Sequence, residues 1–152
     1  NYTRAYTLSL HDALPISIKR LEKKVASGMS YFITQPVYSK EKIIQVYEET
    51  KHLNTPFFIG IMPIASYNNA LFLHNEVPGI KMSDDVLNQF KAVKDDKEKT
   101  KELSLRLSKE LIDTVHEYFN GLYIITPFQK VDYSLELAAY SKSITANKEA
   151  IL

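Results

Sequence analysis

The sequence has no cysteine. That excludes a disulfide framework and thiolate chemistry, and it fits a cytoplasmic protein. Glycine is scarce, at four residues, and the sequence contains neither a P-loop nor a glycine-rich dinucleotide fingerprint. No apolar run approaches the ~20 residues that cross a bilayer. The N-terminus has no basic region followed by a long apolar core, so neither a membrane span nor a signal peptide is expected. Charge of one sign is also lacking. The 19 Lys and Arg nearly match the 18 Asp and Glu, leaving a formal net charge of +1. The two signs are intermixed, so nucleic acid and anionic membrane are not expected partners. Metal chemistry has little support, because His52, His74 and His116 stand alone with no second ligand at i+3 or i+4. Asp84-Asp85 and Asp95-Asp96 read as helix-start or loop acids. No serine sits on a strained elbow motif, and no carboxylate pair falls at a predicted strand end.

What is present is a repeated pattern. Tyr31–Pro36 reads YFITQP, Phe57–Pro63 reads FFIGIMP and Leu122–Pro127 reads LYIITP. Each run is too short for a helix, rich in Ile, Phe and Tyr, and stopped by proline, so each predicts a short buried strand. Helical periods fill the intervals, which predicts βα units of a parallel sheet. In such sheets ligands meet the loops at the carboxyl ends of the strands, where Gln35, Met62 and Thr126 fall. Gln35, Asn69 and Thr126 are neutral polar groups suited to orienting a flat polar ligand.

Taken in order, residues 1–17 follow neither a helical nor a long strand period. Thr7–Ile16, TLSLHDALPI, resembles the conceptual translation of a sequencing-library adapter. Residues 1–17 are therefore expected to be an artefactual or disordered tail, and the pair His11-Asp12 is not taken as catalytic. Ile18, Leu21 and Val25 predict an amphipathic helix ending at Ser27-Gly28. Its basic residues form a wet face or hold a phosphate, and spacing favours the wet face. Ser39 and Ser66 are expected to cap the helices after the first two strands. Gly60 marks a place where a side chain would obstruct a neighbouring backbone or a ligand, or else a bulge. Ser83-Asp84-Asp85 opens a short helix with Val86, Leu87 and Phe90 inward. The longest helix is expected from about Lys97 to Phe119, with Leu103, Leu107, Leu111, Ile112, Val115 and Phe119 as its stripe. A last helix covers about Tyr133 to Ser143, and residues 145–152 are expected to fray. Three parallel strands leave faces and an edge bare, which points to part of a larger βα protein.

The stretches RLEKKVASG and ITQPVYS, then GIMPIAS with NNALFL, then VPGIKMSDD and ITPF, resemble the C-terminal part of methylenetetrahydrofolate reductases. The wording is most similar to the reductase half of bacterial proteins that fuse a homocysteine S-methyltransferase to it. The likeness runs from about Ile18 to Ser143. It implies an α/β fold in which residues 18–144 form the last three βα units of a TIM-type (β/α)8 barrel, truncated. It also implies an enzyme that takes a hydride from NAD(P)H through FAD to 5,10-methylenetetrahydrofolate, and that is a homo-oligomer when intact.

Residue by residue, the resemblance implies that Gln35 contacts the folate pterin and the nicotinamide, where an amide offers both donors and an acceptor. Asn69 matches a position often occupied by an amide facing the folate. Lys23 and Lys24 match basic residues near the FAD phosphates, against the wet-face preference from spacing. Leu73 stands where some members have a stacking phenylalanine, so the aromatic face is lost. Lys130 replaces an arginine directed at the folate tail, without bidentate geometry. The family's catalytic acid and most FAD contacts lie on earlier strands, so the segment alone is expected to be inactive. The alternative is a non-catalytic barrel subunit that pairs with a true reductase.

Overall fold

The structure is a computed structural model that describes residues 5–8 and 14–149, with side chains for 18–146. The expectations for His11-Asp12 and for residues 150–152 fall outside the described residues. The strands are β1 (Ala5–Leu8), β2 (Tyr31–Pro36), β3 (Phe57–Ile61) and β4 (Leu122–Ile124). The helices are α1 (Leu14–Ala26), α2 (Lys40–Thr50), α3 (Tyr67–Glu76), α4 (Asp84–Ala92), α5 (Lys97–Tyr118) and α6 (Val131–Glu149). All the neighbouring strand pairs are parallel, and the sheet order β1-β2-β3-β4 is the order in the chain.

The three predicted strands are present, and the sheet has a fourth member. β1 pairs along β2 from Ala5 opposite Tyr31 to Leu8 opposite Thr34. It lies within residues 1–17, the stretch expected to be an artefactual or disordered tail, and α1 begins at Leu14 rather than Ile18. A strand of four residues is too short to display an alternation, so only its pairing reveals it. At the other end, α6 continues past its expected end at Ser143 to Glu149.

Local chemistry explains the helix boundaries. Ser39 Oγ accepts the Lys42 N–H at 3.1 Å, Ser66 Oγ accepts the Asn69 N–H at 3.1 Å, and Asp96 caps α5 through the Lys99 N–H at 3.1 Å. α1 ends in a Schellman turn. Gly28 takes φ +86° while Met29 N–H donates to the Lys24 carbonyl at 3.1 Å and Gly28 N–H to that of Val25 at 2.9 Å.

The helices that touch the sheet pack on one face of it. Ile59 and Ile61 of β3 are buried with Ile43 and Val46 of α2, Ile112 and Val115 of α5, and Leu137 of α6. Phe32 of β2 and Phe57 of β3 stack 4.9 Å apart beside Leu21 of α1. A second cluster of Ile64, Leu73, Ile80, Met82, Phe90 and Leu103 ties α3 and α4 to α5. The opposite sheet face carries Tyr31, Ile33, Phe58, Gly60 and Tyr123, none of which belongs to these clusters. Tyr31 and Phe58 meet edge to face there at 5.5 Å.

Candidate functional site

The strand-end site is built around an irregularity in β2. Ile33 pairs with Phe58, but Pro36 pairs with Gly60, so β2 carries one residue more than β3 over this interval. That is a β-bulge at Thr34-Gln35, a device that re-aims a side chain at the end of a strand. Thr34 is fully buried and fills the gap. Its Oγ1 accepts the Gly60 N–H at 3.0 Å and donates to the Gln35 carbonyl at 2.8 Å. Tyr123 reaches across from β4 and donates its hydroxyl to the Thr34 carbonyl at 2.6 Å. Beyond the bulge, Val37 N–H donates to the Gly60 carbonyl at 3.1 Å and restores pairing.

Gly60 is what lets Tyr123 cross. A Cβ there would sit 3.0 Å from the Tyr123 hydroxyl and 3.1 Å from the Thr34 carbonyl oxygen. Of the two readings open for Gly60, the obstructed neighbour is therefore found, with the bulge on the adjoining strand. Burial pushes the Tyr123 phenol above its ordinary ionisation range, so it stays a neutral donor.

Asn69 lies in the first turn of α3 and is 8 % exposed. Its Oδ1 accepts the Ala65 N–H at 3.1 Å, bracing the loop after β3. That leaves its NH2 as the group available to a ligand. Leu73 is 5 % exposed and packs in the cluster under α3. Its neighbour Phe72 is 57 % exposed. Lys130 follows β4 and holds its ammonium 5.0 Å from the Tyr133 ring centre. Thr126 shares a 2.8 Å hydrogen bond with Ser134 at the start of α6.

Because β2, β3 and β4 are adjacent and parallel, Gln35, Asn69 and Lys130 all rise from one edge of the sheet. With strands spaced about 4.8 Å apart, the ends of β2 and β4 stand about 10 Å from each other. Lys23 and Lys24 are not brought to that edge. They occupy the last turn of α1, which leads into the opposite end of β2, and Lys23 is exposed. Phe128, 73 % exposed at φ +45°, had no sequence pattern to mark it. A non-glycine residue held in the left-handed region at a strand end is the kind of strain found at ligand sites. Among the described residues, no group of three or more His, Cys, Asp or Glu is placed to hold a metal ion, and no helix is long and apolar enough to cross a membrane.

These features define a parallel α/β protein, wound in one direction without a switch in strand order, with amide and hydroxyl chemistry at its strand ends. Residues 7–130 match the family model for methylenetetrahydrofolate reductase, and the chain belongs to that family. One relative is methylenetetrahydrofolate reductase 1 of Schizosaccharomyces pombe, 29 % identical over 102 residues that make up 66 % of this chain and 17 % of the relative. A solved structure with the same fold is an uncharacterized protein from Clostridium thermocellum that binds two copies of 5-methyl-5,6,7,8-tetrahydrofolic acid. Its TM-score is 0.53 at 24 % identity, over 86 % of this chain and 48 % of that one. The chain thus spans about a sixth of the curated relative and about half of the solved structure.

Proposed function

We propose that this chain contributes the folate- and nicotinamide-facing strand ends of a methylenetetrahydrofolate reductase barrel. The intact protein would move a hydride from NAD(P)H to 5,10-methylenetetrahydrofolate, giving 5-methyltetrahydrofolate. The carrying observation is the bulge that sets Gln35 at the end of β2, fixed by Thr34 and Tyr123. Strand order equal to chain order, with helices on one face, supports a closed (β/α)8 barrel over a doubly wound sheet. The folate ligand of the Clostridium thermocellum protein supports the substrate class.

In this reading the Gln35 amide hydrogen-bonds the edge of the pterin and, in the other half-reaction, the nicotinamide. The Asn69 NH2 adds a donor from the neighbouring loop, and Lys130 supplies charge for the folate's acidic tail. Leu73 shapes α3 from below. FAD, when bound, would accept the hydride from the nicotinamide and pass it to the folate. Lys23 and Lys24 suit a diphosphate in charge alone, because the end of α1 lies at the opposite end of β2 from Gln35 and does not fit a flavin bound at the strand ends. The flavin's diphosphate contacts then fall to parts of the relatives that this chain does not span.

A fused methyltransferase, a cytoplasmic location and a homo-oligomer belong to the same proposal. The alternative is a non-catalytic barrel subunit that pairs with a true reductase. Anaerobic absorbance of the intact protein separates the two. Bleaching of bound flavin by NADH or NADPH, reversed by methylenetetrahydrofolate, supports the reductase. Flavin that is absent or inert to both supports the subunit.

A further inference from the structure

We infer that His74 is a pH-operated latch for the loop 77–83 between α3 and α4, holding it while the imidazole is neutral and releasing it when the ring takes a proton. His74 lies in the last turn of α3. Its Nδ1 accepts the Met82 N–H at 3.1 Å, and its carbonyl accepts the Lys81 Nζ at 2.9 Å. Two adjoining loop residues are thus anchored on one residue of α3. The chain returns to His74 through a tight turn, in which Gly79 takes φ +84° and the Ile80 N–H donates to the Val77 carbonyl at 3.2 Å.

The chemistry of the ring sets the direction of the response. Nδ1 accepts only while it carries no proton, so the Met82 bond requires the neutral ring with its hydrogen on Nε2. Protonation sets N–H against N–H and removes the acceptor. Ile80 and Met82 are both buried in the cluster with Leu73, Phe90 and Leu103. An amide left unpaired there is costly, so the loop must move to rehydrate it. The charged ring has another place to turn, because the last turn of a helix favours a cation. The charged groups on the elements around the loop are Lys42 of α2, Glu76 of α3, Lys81 of the loop itself, and Asp84 and Asp85 of α4.

The loop also has a neighbour that matters. Residues 75–81 form one wall of a cavity of about 390 Å³, and Pro36, Val37 and Ser39 stand on the other side. Those three residues come directly after Gln35. Releasing the loop therefore frees a wall beside the strand-end site, and makes its shape responsive to acid. The latch itself rests on hydrogen-bond geometry and is independent of the folate assignment.

Nitrogen-15 NMR of the intact protein, from about pH 8 to about pH 5, tests the latch. The His74 ring nitrogens report protonation, and the Met82 amide reports the bond. Both should change with one midpoint. Exchange protection of the Met82 amide, corrected for the intrinsic rate, should fall about tenfold or more as the imidazolium forms. His74→Gln keeps an oxygen able to accept the Met82 N–H and does not titrate, so its Met82 signal should hold still over this range. The wild-type comparison needs no variant and stands if His74→Gln fails to fold. A ring that titrates while Met82 keeps its shift and protection overturns the proposal, as does a ring that stays neutral throughout. A Met82 response that persists in His74→Gln overturns it too, by assigning the response to another group.

Discussion

Replacing Gly60 with alanine should damage the protein through one neighbour, Tyr123. The φ of Gly60 is not positive, so backbone strain is not the issue and space is. The added methyl would stand 3.0 Å from the Tyr123 hydroxyl, 3.1 Å from its Cε1 and 3.1 Å from the Thr34 carbonyl oxygen. The carbonyl belongs to a paired strand, so the tyrosine is the part that can give way. Overpacking of this kind costs about 1–3 kcal/mol. Moving the tyrosine also breaks its 2.6 Å bond to Thr34, worth about 1 kcal/mol. Tyr123→Phe alone removes only that bond and should cost about 1 kcal/mol. If Gly60→Ala already breaks the bond, adding Tyr123→Phe should cost nothing further. The coupling is then about 1 kcal/mol, against the ~0.3–0.5 kcal/mol within which independent sites add. Urea unfolding of the intact protein and the three variants measures it. Strict additivity would refute the account of the bulge, because Gly60 would then be needed for something other than the crossing of Tyr123.

Ser66→Ala removes the acceptor for the Asn69 N–H. It should cost about 1 kcal/mol in denaturant unfolding, with a smaller loss for Ser66→Asp, which keeps a capping oxygen. The Lys101–Asp132 pair, 2.6 Å apart, joins α5 to α6. Lys101 holds Asp132 below its usual 3.8, and Asp132 holds Lys101 above its usual 10.5. The carboxylate's contribution is present above pH ~3.9 and is lost as pH falls through the depressed value, while the lysine's is lost only as pH rises through the raised one. Thermal midpoints of wild type and Asp132→Asn should differ slightly at neutral pH, as for an exposed pair, and converge in strong acid. A gap that persists in acid would show that the pair is not its source.

The fold was legible where the physics is local. The ITQP and GIMP strands, the Ser39 and Ser66 caps, the Gly28 turn and the α5 stripe rest on neighbours in sequence, and each is found. β1 was not, because its pairing with β2 supplies what its own residues do not. Gly60 was visible as a place kept clear, but Tyr123 as the occupant depends on the register between β3 and β4. Leu73 was placed by resemblance beside a ligand, and packing shows its side chain in the core, with Phe72 outward. The separation of Lys23 and Lys24 from Gln35 follows from chain direction: a helix leading into a strand ends where the strand begins.

In the proposed function the bulge presents Gln35 to both substrates. Gln35→Leu in the intact protein, with folding verified by circular dichroism and flavin retention, tests it through the two half-reactions separately. Loss of hydrogen bonds to a heteroaromatic edge should slow flavin reduction by NAD(P)H and reoxidation by methylenetetrahydrofolate alike, each by about tenfold or more. Both rates unchanged in a folded, flavin-loaded variant would contradict it and place the ligand elsewhere.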